Sequence, residues 1–192
     1  MMQSWRIVLL AAAALLLAIP AQAADTATWA ALAGKFGCPK KANEQHFPDD
    51  SFYMAQYIPE GQKTKNWTRI FTVQLFRAPA DAKQSDAYIE SLIREIPKNI
   101  ESAKGGDVTV WQTGKGKDGP VAYGEFVIAA EQTVTVVYRV AKGVVAVNQF
   151  AVRKSRLTDE DKRLLKQLVM TNANPAPISN TPASPGYPRP KR

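Results

Sequence analysis

Residues 121–153 read VAYGEFVIAAEQTVTVVYRVAKGVVAVNQFAVR, and this stretch decides the fold. Valine, threonine and aromatic residues alternate here with small or polar ones, as in half-buried strands. Three strands are predicted, over 121–130, 133–141 and 144–153, with breaks at Glu131-Gln132 and Lys142-Gly143. Two-residue connections join neighbouring strands as antiparallel hairpins. A fourth strand, over 108–113, precedes them and is joined by a loop over 114–120. The second half of the chain is therefore expected to be an antiparallel meander.

Upstream, the hydrophobic period changes. Tyr88, Ile89, Leu92, Ile93, Ile96 and Ile100 recur at spacings of three and four, which marks one buried helical face. Asp86, Glu90, Arg94 and Lys98 fall on the exposed face, and Pro97 is expected to kink or end the helix near Ile96. Before it, 67–77 reads as a strand with Trp67, Phe71, Val73 and Leu75 on one face and Thr68, Thr72 and Gln74 on the other. A strand is also predicted over 51–58, a polar loop over 38–50, and a helix capped by Asp25 and running to about Phe36. That helix would present Trp29, Leu32, Ala33 and Phe36 as one stripe. Downstream, Thr158 caps a last helix, Asp161 completes a capping box, and Leu164, Leu165, Leu168 and Val169 form its apolar stripe. The predicted class is α+β: one antiparallel sheet of about six strands flanked by helices, in a two-layer or three-layer sandwich. One domain is expected over 51–171, preceded by a helix and loop over 24–50.

The two ends are different material. Arg6, an unbroken apolar run over 7–19, Pro20 and the Ala21-Gln22-Ala23 triplet have the layout of a secretory signal, with cleavage expected after Ala23. The run is thirteen residues long, short of the roughly 20 that cross a bilayer, and no later stretch is long enough to span. From Pro175 to Arg192 six prolines, small polar residues and a basic end predict an extended tail, so 172–192 is set apart from the domain. The 192 residues carry a formal charge of +8; without 1–23 there remain 24 bases against 17 acids, or +7. In an exported chain that surplus points away from nucleic acid and toward an anionic envelope component or envelope protein. A single cysteine excludes an internal disulfide, and its scarcity favours a bacterial periplasm over a eukaryotic secretory route.

Motifs that would carry chemistry are weak. Gly114, Gly116 and Gly119 fit G-x-G-x-x-G, but Pro120 and a strand follow where pyrophosphate needs a helix N-terminus. Cys38 and His46 could form a nucleophile and base only in a rigid pocket, and Gly37-Cys38-Pro39 reads as a turn. One cysteine and one histidine leave a tetrahedral metal two ligands short. Asp49-Asp50 reads as a solvated turn, and Asn66-Trp67-Thr68 would be a glycosylation acceptor only on a eukaryotic route. Lys63, Lys65, Trp67 and Arg69 alternate bases with an indole, with Trp67 favoured as a core residue. Arg153, Lys154 and Arg156, followed by Lys162, Arg163 and Lys166, could gather into one anion-binding patch, the alternative being an ordinary solvated face. No catalytic residues, metal or cofactor are predicted.

The 67–77 strand, the long helix, the four-strand meander and the 158–171 helix together resemble the PsbP-like fold, which includes periplasmic proteins of the DcrB type. The resemblance covers 51–171, is architectural, and transfers no site residues. It implies a twisted antiparallel sheet flanked by helices in a binding or accessory protein without an active site. The expected function is accordingly an exported, non-catalytic binding or accessory protein of the bacterial cell envelope. A small-ligand carrier would instead show an apolar cavity between sheet and helices, and an enzyme a deep pocket holding perturbed ionisable groups.

Overall fold

A computed structural model describes residues 26–47, 49 and 51–171. The signal and its cleavage site, the Asp25 cap and the tail from 172 lie outside the described residues. The elements are α1 (Thr26–Lys35), β1 (Lys40–His46), β2 (Phe52–Ile58), β3 (Arg69–Arg77), α2 (Ala82–Ser102), β4 (Gly106–Gly116), β5 (Gly119–Ile128), β6 (Glu131–Ala141), β7 (Val144–Arg153) and α3 (Asp159–Thr171). The fold is α+β. One seven-stranded sheet has the order β1-β2-β3-β7-β6-β5-β4, with antiparallel pairing at every step. No described helix is long and apolar enough to cross a membrane.

Alternation along the strands gives the sheet two apolar faces. Phe71, Val73 and Leu75 of β3, Val134 and Val136 of β6, and Ala146, Phe150 and Val152 of β7 pack with Trp29 and Ala33 of α1, with Phe36 just after it, and with Leu165 and Val169 of α3. On the other face Ala122, Val137, Val145 and Val147 pack with Ile89, Leu92 and Ile93 of α2. The sandwich therefore has three layers, and the meander shares a core with the isoleucine-rich helix.

Local chemistry fixes the helix ends. Gly37 at φ 69° closes α1 with paired bonds, Cys38 N to Ala33 O and Gly37 N to Gly34 O, both 3.0 Å, in a Schellman arrangement. Asp81 caps α2 by accepting from Gln84 N at 2.9 Å. Thr158 and Asp161 form the expected reciprocal box on α3: Asp161 N donates to Thr158 Oγ1 at 3.1 Å, and Thr158 N donates to Asp161 Oδ2 at 3.0 Å.

Four local expectations are corrected and one is narrowed. The predicted polar loop contains β1, a strand without an apolar face because it forms the sheet edge, where exposed lysines discourage pairing with other chains; this strand raises the count from six to seven. Trp67 precedes β3 rather than belonging to it, and it packs with Ile58, Ile70 and Ala151 instead of with Phe71. Of the two outcomes expected at Pro97, a kink or an end, the end does not occur: the second helix runs through Pro97 to Ser102, keeping Ile100 buried. Glu131 lies in β6, in register with Ile128 of β5, so the turn sits at Ala129-Ala130 with Ala129 at φ 56°; the Glu131 carboxylate pairs with Arg153 of β7. The expected loop over 114–120 shrinks to the two residues Lys117 and Asp118 between β4 and β5.

Candidate functional site

Helix α3 packs over β5, β6 and β7. Beside it, toward the edge strand β4, lies an open groove of about 500 Å³. Val110, Gln112, Tyr123 and Glu125 form its floor; Asp159, Lys162, Arg163, Lys166 and Gln167 of α3 form its wall. The floor residues are sheet neighbours, since Val110 pairs with Glu125 and Gln112 with Tyr123. The wall follows from helical spacing: Leu165 and Val169 enter the core, which turns Lys162 and Lys166 along the side of the helix toward β5.

The electrostatics of the groove are ordered. Lys162 Nζ donates to Glu125 Oε2 at 2.7 Å, and the Tyr123 hydroxyl donates to the other oxygen, Oε1, at 2.7 Å. Burial, then the Glu125 bond and charge, push the Tyr123 phenol up, so it stays a neutral donor. Lys166 Nζ stands 5.1 Å from the centre of the Tyr123 ring, a cation–π contact. Arg163 forms a fork on Glu160, with Nε to Oε2 at 2.7 Å and Nη2 to Oε1 at 2.6 Å. That pair is exposed and holds its partners weakly, so an incoming anion can exchange with Glu160.

The six bases singled out in the sequence divide. Lys162, Arg163 and Lys166 share the groove wall. Lys154 and Arg156 are exposed just before α3, Lys154 in a left-handed conformation at φ 61°. Arg153 is not brought to them. Its side chain lies on the opposite face of the sheet, paired with Glu131 and stacked 4.0 Å from the centre of the Trp67 ring. Burial raises the Glu131 carboxyl above its ordinary range, and the Arg153 guanidinium opposes that shift.

The remaining motifs resolve into structure. Gly114 and Gly116 end β4 and Gly119 begins β5, so no helix N-terminus follows the glycines. Cys38 is fully buried, its Sγ donating to Phe36 O at 3.6 Å, and burial pushes the thiol up to about 12. His46 lies at the far end of β1, against Tyr53. Asp49 accepts from Ser51 N at 3.0 Å and Ser51 Oγ at 2.6 Å, a turn contact, and Asp50 is outside the described residues. Lys63, Lys65 and Asn66 are exposed in the loop before β3, whereas Trp67 is buried. Among the described residues no three histidine, cysteine, aspartate or glutamate side chains gather as a metal site.

Sequence reading missed two partners. Glu125 anchors Lys162 across 37 residues. Arg69 of β3 reaches Asp161 of α3 at 3.2 Å and Phe36 O at 3.4 Å, tying both helices of that face to the sheet. Neither pairing has a local signal, because both cross the topology.

The chain is similar to a solved structure of cyanobacterial PsbP. That protein, CyanoP from Synechocystis sp. PCC 6803, matches with a TM-score of 0.39 and 8% sequence identity over 68% of this chain and 89% of its own. No family model and no curated protein matches the sequence.

Proposed function

We propose that this chain is an exported, non-catalytic binding or accessory protein of the bacterial cell envelope, of the DcrB type, which holds an anionic envelope component through the stretch 154–166. One observation carries the reading: five bases stand on thirteen consecutive residues at one end of the sheet, in two adjoining groups. Lys154 and Arg156 are exposed and, among the described residues, have no ion-pair partner. Arg163 and Lys166 follow on the groove wall, and Lys162 is held back by Glu125. The apolar run and Ala-x-Ala triplet before Ala24 support export to a compartment where lipid head groups and wall polymers are the abundant anions.

Each base close to an anionic surface contributes about 1 kcal/mol; Lys154, Arg156 and Lys166, with Arg163 exchanged from Glu160 and with Asp159 and Glu160 offsetting part of the gain, give a weak, salt-sensitive attachment. Mature chain starting at Ala24 should co-sediment with vesicles of phosphatidylglycerol in phosphatidylcholine at low salt. It should release as the Debye length falls to about 8 Å near physiological salt. The variant K154Q/R156Q/R163Q/K166Q should stay folded and lose the binding. Wild-type protein indifferent to anionic vesicles and to anionic wall polymers would refute the assignment. N-terminal sequencing of exported protein should begin at Ala24; recovery of Arg6 would refute export with cleavage.

A further inference from the structure

On the sheet face opposite the groove, one register row crosses all seven strands. Asn43 pairs with Gln56, Gln56 with Thr72, Thr72 with Gln149, Gln149 with Thr135, Thr135 with Gly124, and Gly124 with Trp111. Residues directly opposite one another in antiparallel strands project to the same face. The five side chains from Asn43 to Thr135 are amides and hydroxyls, and none is charged. The row separates two apolar clusters: Ala122, Val137 and Val147 under α2 on one side, and Ile58, Ile70, Ala151 and Trp67 on the other. At the β4 end the Trp111 ring closes it, lying where a side chain on Gly124 would begin: a Cβ there would fall 2.3 Å from the indole.

The row is only partly satisfied by the protein. Asn43 Nδ2 donates to Gln56 Oε1 at 3.2 Å, Gln74 Nε2 donates to Gln149 Oε1 at 3.2 Å, and Thr135 Oγ1 donates to Asn148 O at 3.3 Å. Among the described residues, Asn43 Oδ1, Gln56 Nε2, Thr72 Oγ1 and Gln149 Nε2 meet no partner, and none of the four is among the buried polar atoms lacking one. Asn43, Gln56 and Gln149 are half-buried and reach solvent, whereas Thr72 between them is only 7% exposed. They span three inter-strand gaps, about 14 Å.

We propose that this row binds a neutral glycan lying across β1, β2, β3 and β7. A sugar hydroxyl both donates and accepts, which suits a row offering acceptor, donor, hydroxyl and donor in turn. A charged polymer would find no counter-charge in the row. An extended peptide pairs its backbone along a strand edge, whereas this row runs across the strands. The site is on the other side of the sheet from the basic stretch and does not depend on it.

Titration calorimetry of the mature chain against maltohexaose, chitohexaose and isomaltohexaose tests the proposal. At least one should bind saturably, with an affinity unchanged between low and physiological salt. Q56M/Q149M keeps chain length and removes two donors, and it should weaken binding about ten-fold, with a melting temperature lowered only modestly by the loss of the bonds from Asn43 and Gln74. T72V serves the same purpose if that double variant fails to fold. K154Q/R156Q should bind the sugar as wild type does. No saturable binding at millimolar oligosaccharide would overturn the proposal, as would full affinity in Q56M/Q149M or T72V. Binding that disappears with salt or in K154Q/R156Q would also overturn it, because the sugar would then be held by the basic stretch.

Discussion

Replacing Asp161 with alanine should cost about 2–3 kcal/mol, although it lies on a surface helix. Its carboxylate does two jobs. It accepts from Thr158 N and Oγ1 at 3.0 and 2.8 Å, and it receives Arg69 Nη2 at 3.2 Å. Losing the cap pairing removes about 1 kcal/mol. Stranding the partner of a fully buried ion pair costs about 3–5 kcal/mol, but the Arg69 side chain is 35% exposed against 7% for Asp161. Water therefore takes over part of the guanidinium, and about 1–2 kcal/mol remains. For a domain of this size each kcal/mol lowers the melting temperature by about 2–4 °C, so calorimetry should show a drop of about 5–10 °C. Asp161→Asn keeps an acceptor for Thr158 and loses the charge, so it should cost less. A double-mutant cycle of Asp161→Asn with Arg69→Met isolates the pair, and a coupling of about 1 kcal/mol is expected. Coupling within about 0.3 kcal/mol would refute the idea that Arg69 clamps α3 to β3, and would leave Asp161 as a cap alone.

Ile93→Asp puts a carboxylate into the cluster beneath α2, where Ile93 is 7% exposed, and should abolish cooperative unfolding in denaturant titrations. Cys38, with its thiol pushed up to about 12 by burial, should resist iodoacetamide at about pH 8 and label at the rate of global unfolding; rapid labelling of native protein would contradict the packing. Glu131 holds its proton more tightly folded than unfolded, so it contributes stability as pH falls toward the acid range and loses it as pH rises through its raised pKa. Melting curves of Glu131→Gln should lack that relative gain on acidification. Gly124→Ala drives a Cβ into the Trp111 ring and should destabilise by about 1–3 kcal/mol, with a shifted tryptophan emission.

Much of the architecture was legible because it rests on local chemistry. The valine-rich alternation specified β5, β6 and β7, the spacing of Ile89, Leu92 and Ile93 specified the buried face of α2, and Thr158 with Asp161 specified the start of α3. What escaped is non-local. The edge strand β1 has no buried face to write a pattern into its sequence. The indole of Trp67 is placed by Arg153, which comes 86 residues later. The groove is half visible in sequence: the spacing of Lys162 and Lys166 predicts one helix side, but Glu125 and Tyr123 beneath them depend on where α3 lands. The assignment of Arg153 to the same patch failed on a parity that sequence distance conceals. It sits in β7 one pleat beyond Val152, which belongs to the core under α3, so its side chain must emerge on the other face.

The same parity separates the two candidate surfaces. On β5, Tyr123 and Glu125 point into the groove beside α3, while Gly124 between them points to the face of the amide row and carries Trp111 across it. A one-residue slip of β4 against β5 would turn Val110 and Gln112 away from the groove and lift Trp111 off Gly124. Two features hold the register. Gly124 is the one position in β5 where the Trp111 ring can lie on the backbone, and Thr109 Oγ1 donates to Glu125 O at 3.0 Å where the pairing shifts between Val108 and Val110. The irregularity therefore sets which side chains of the edge strand face the wall formed by α3 and which face the other side of the sheet.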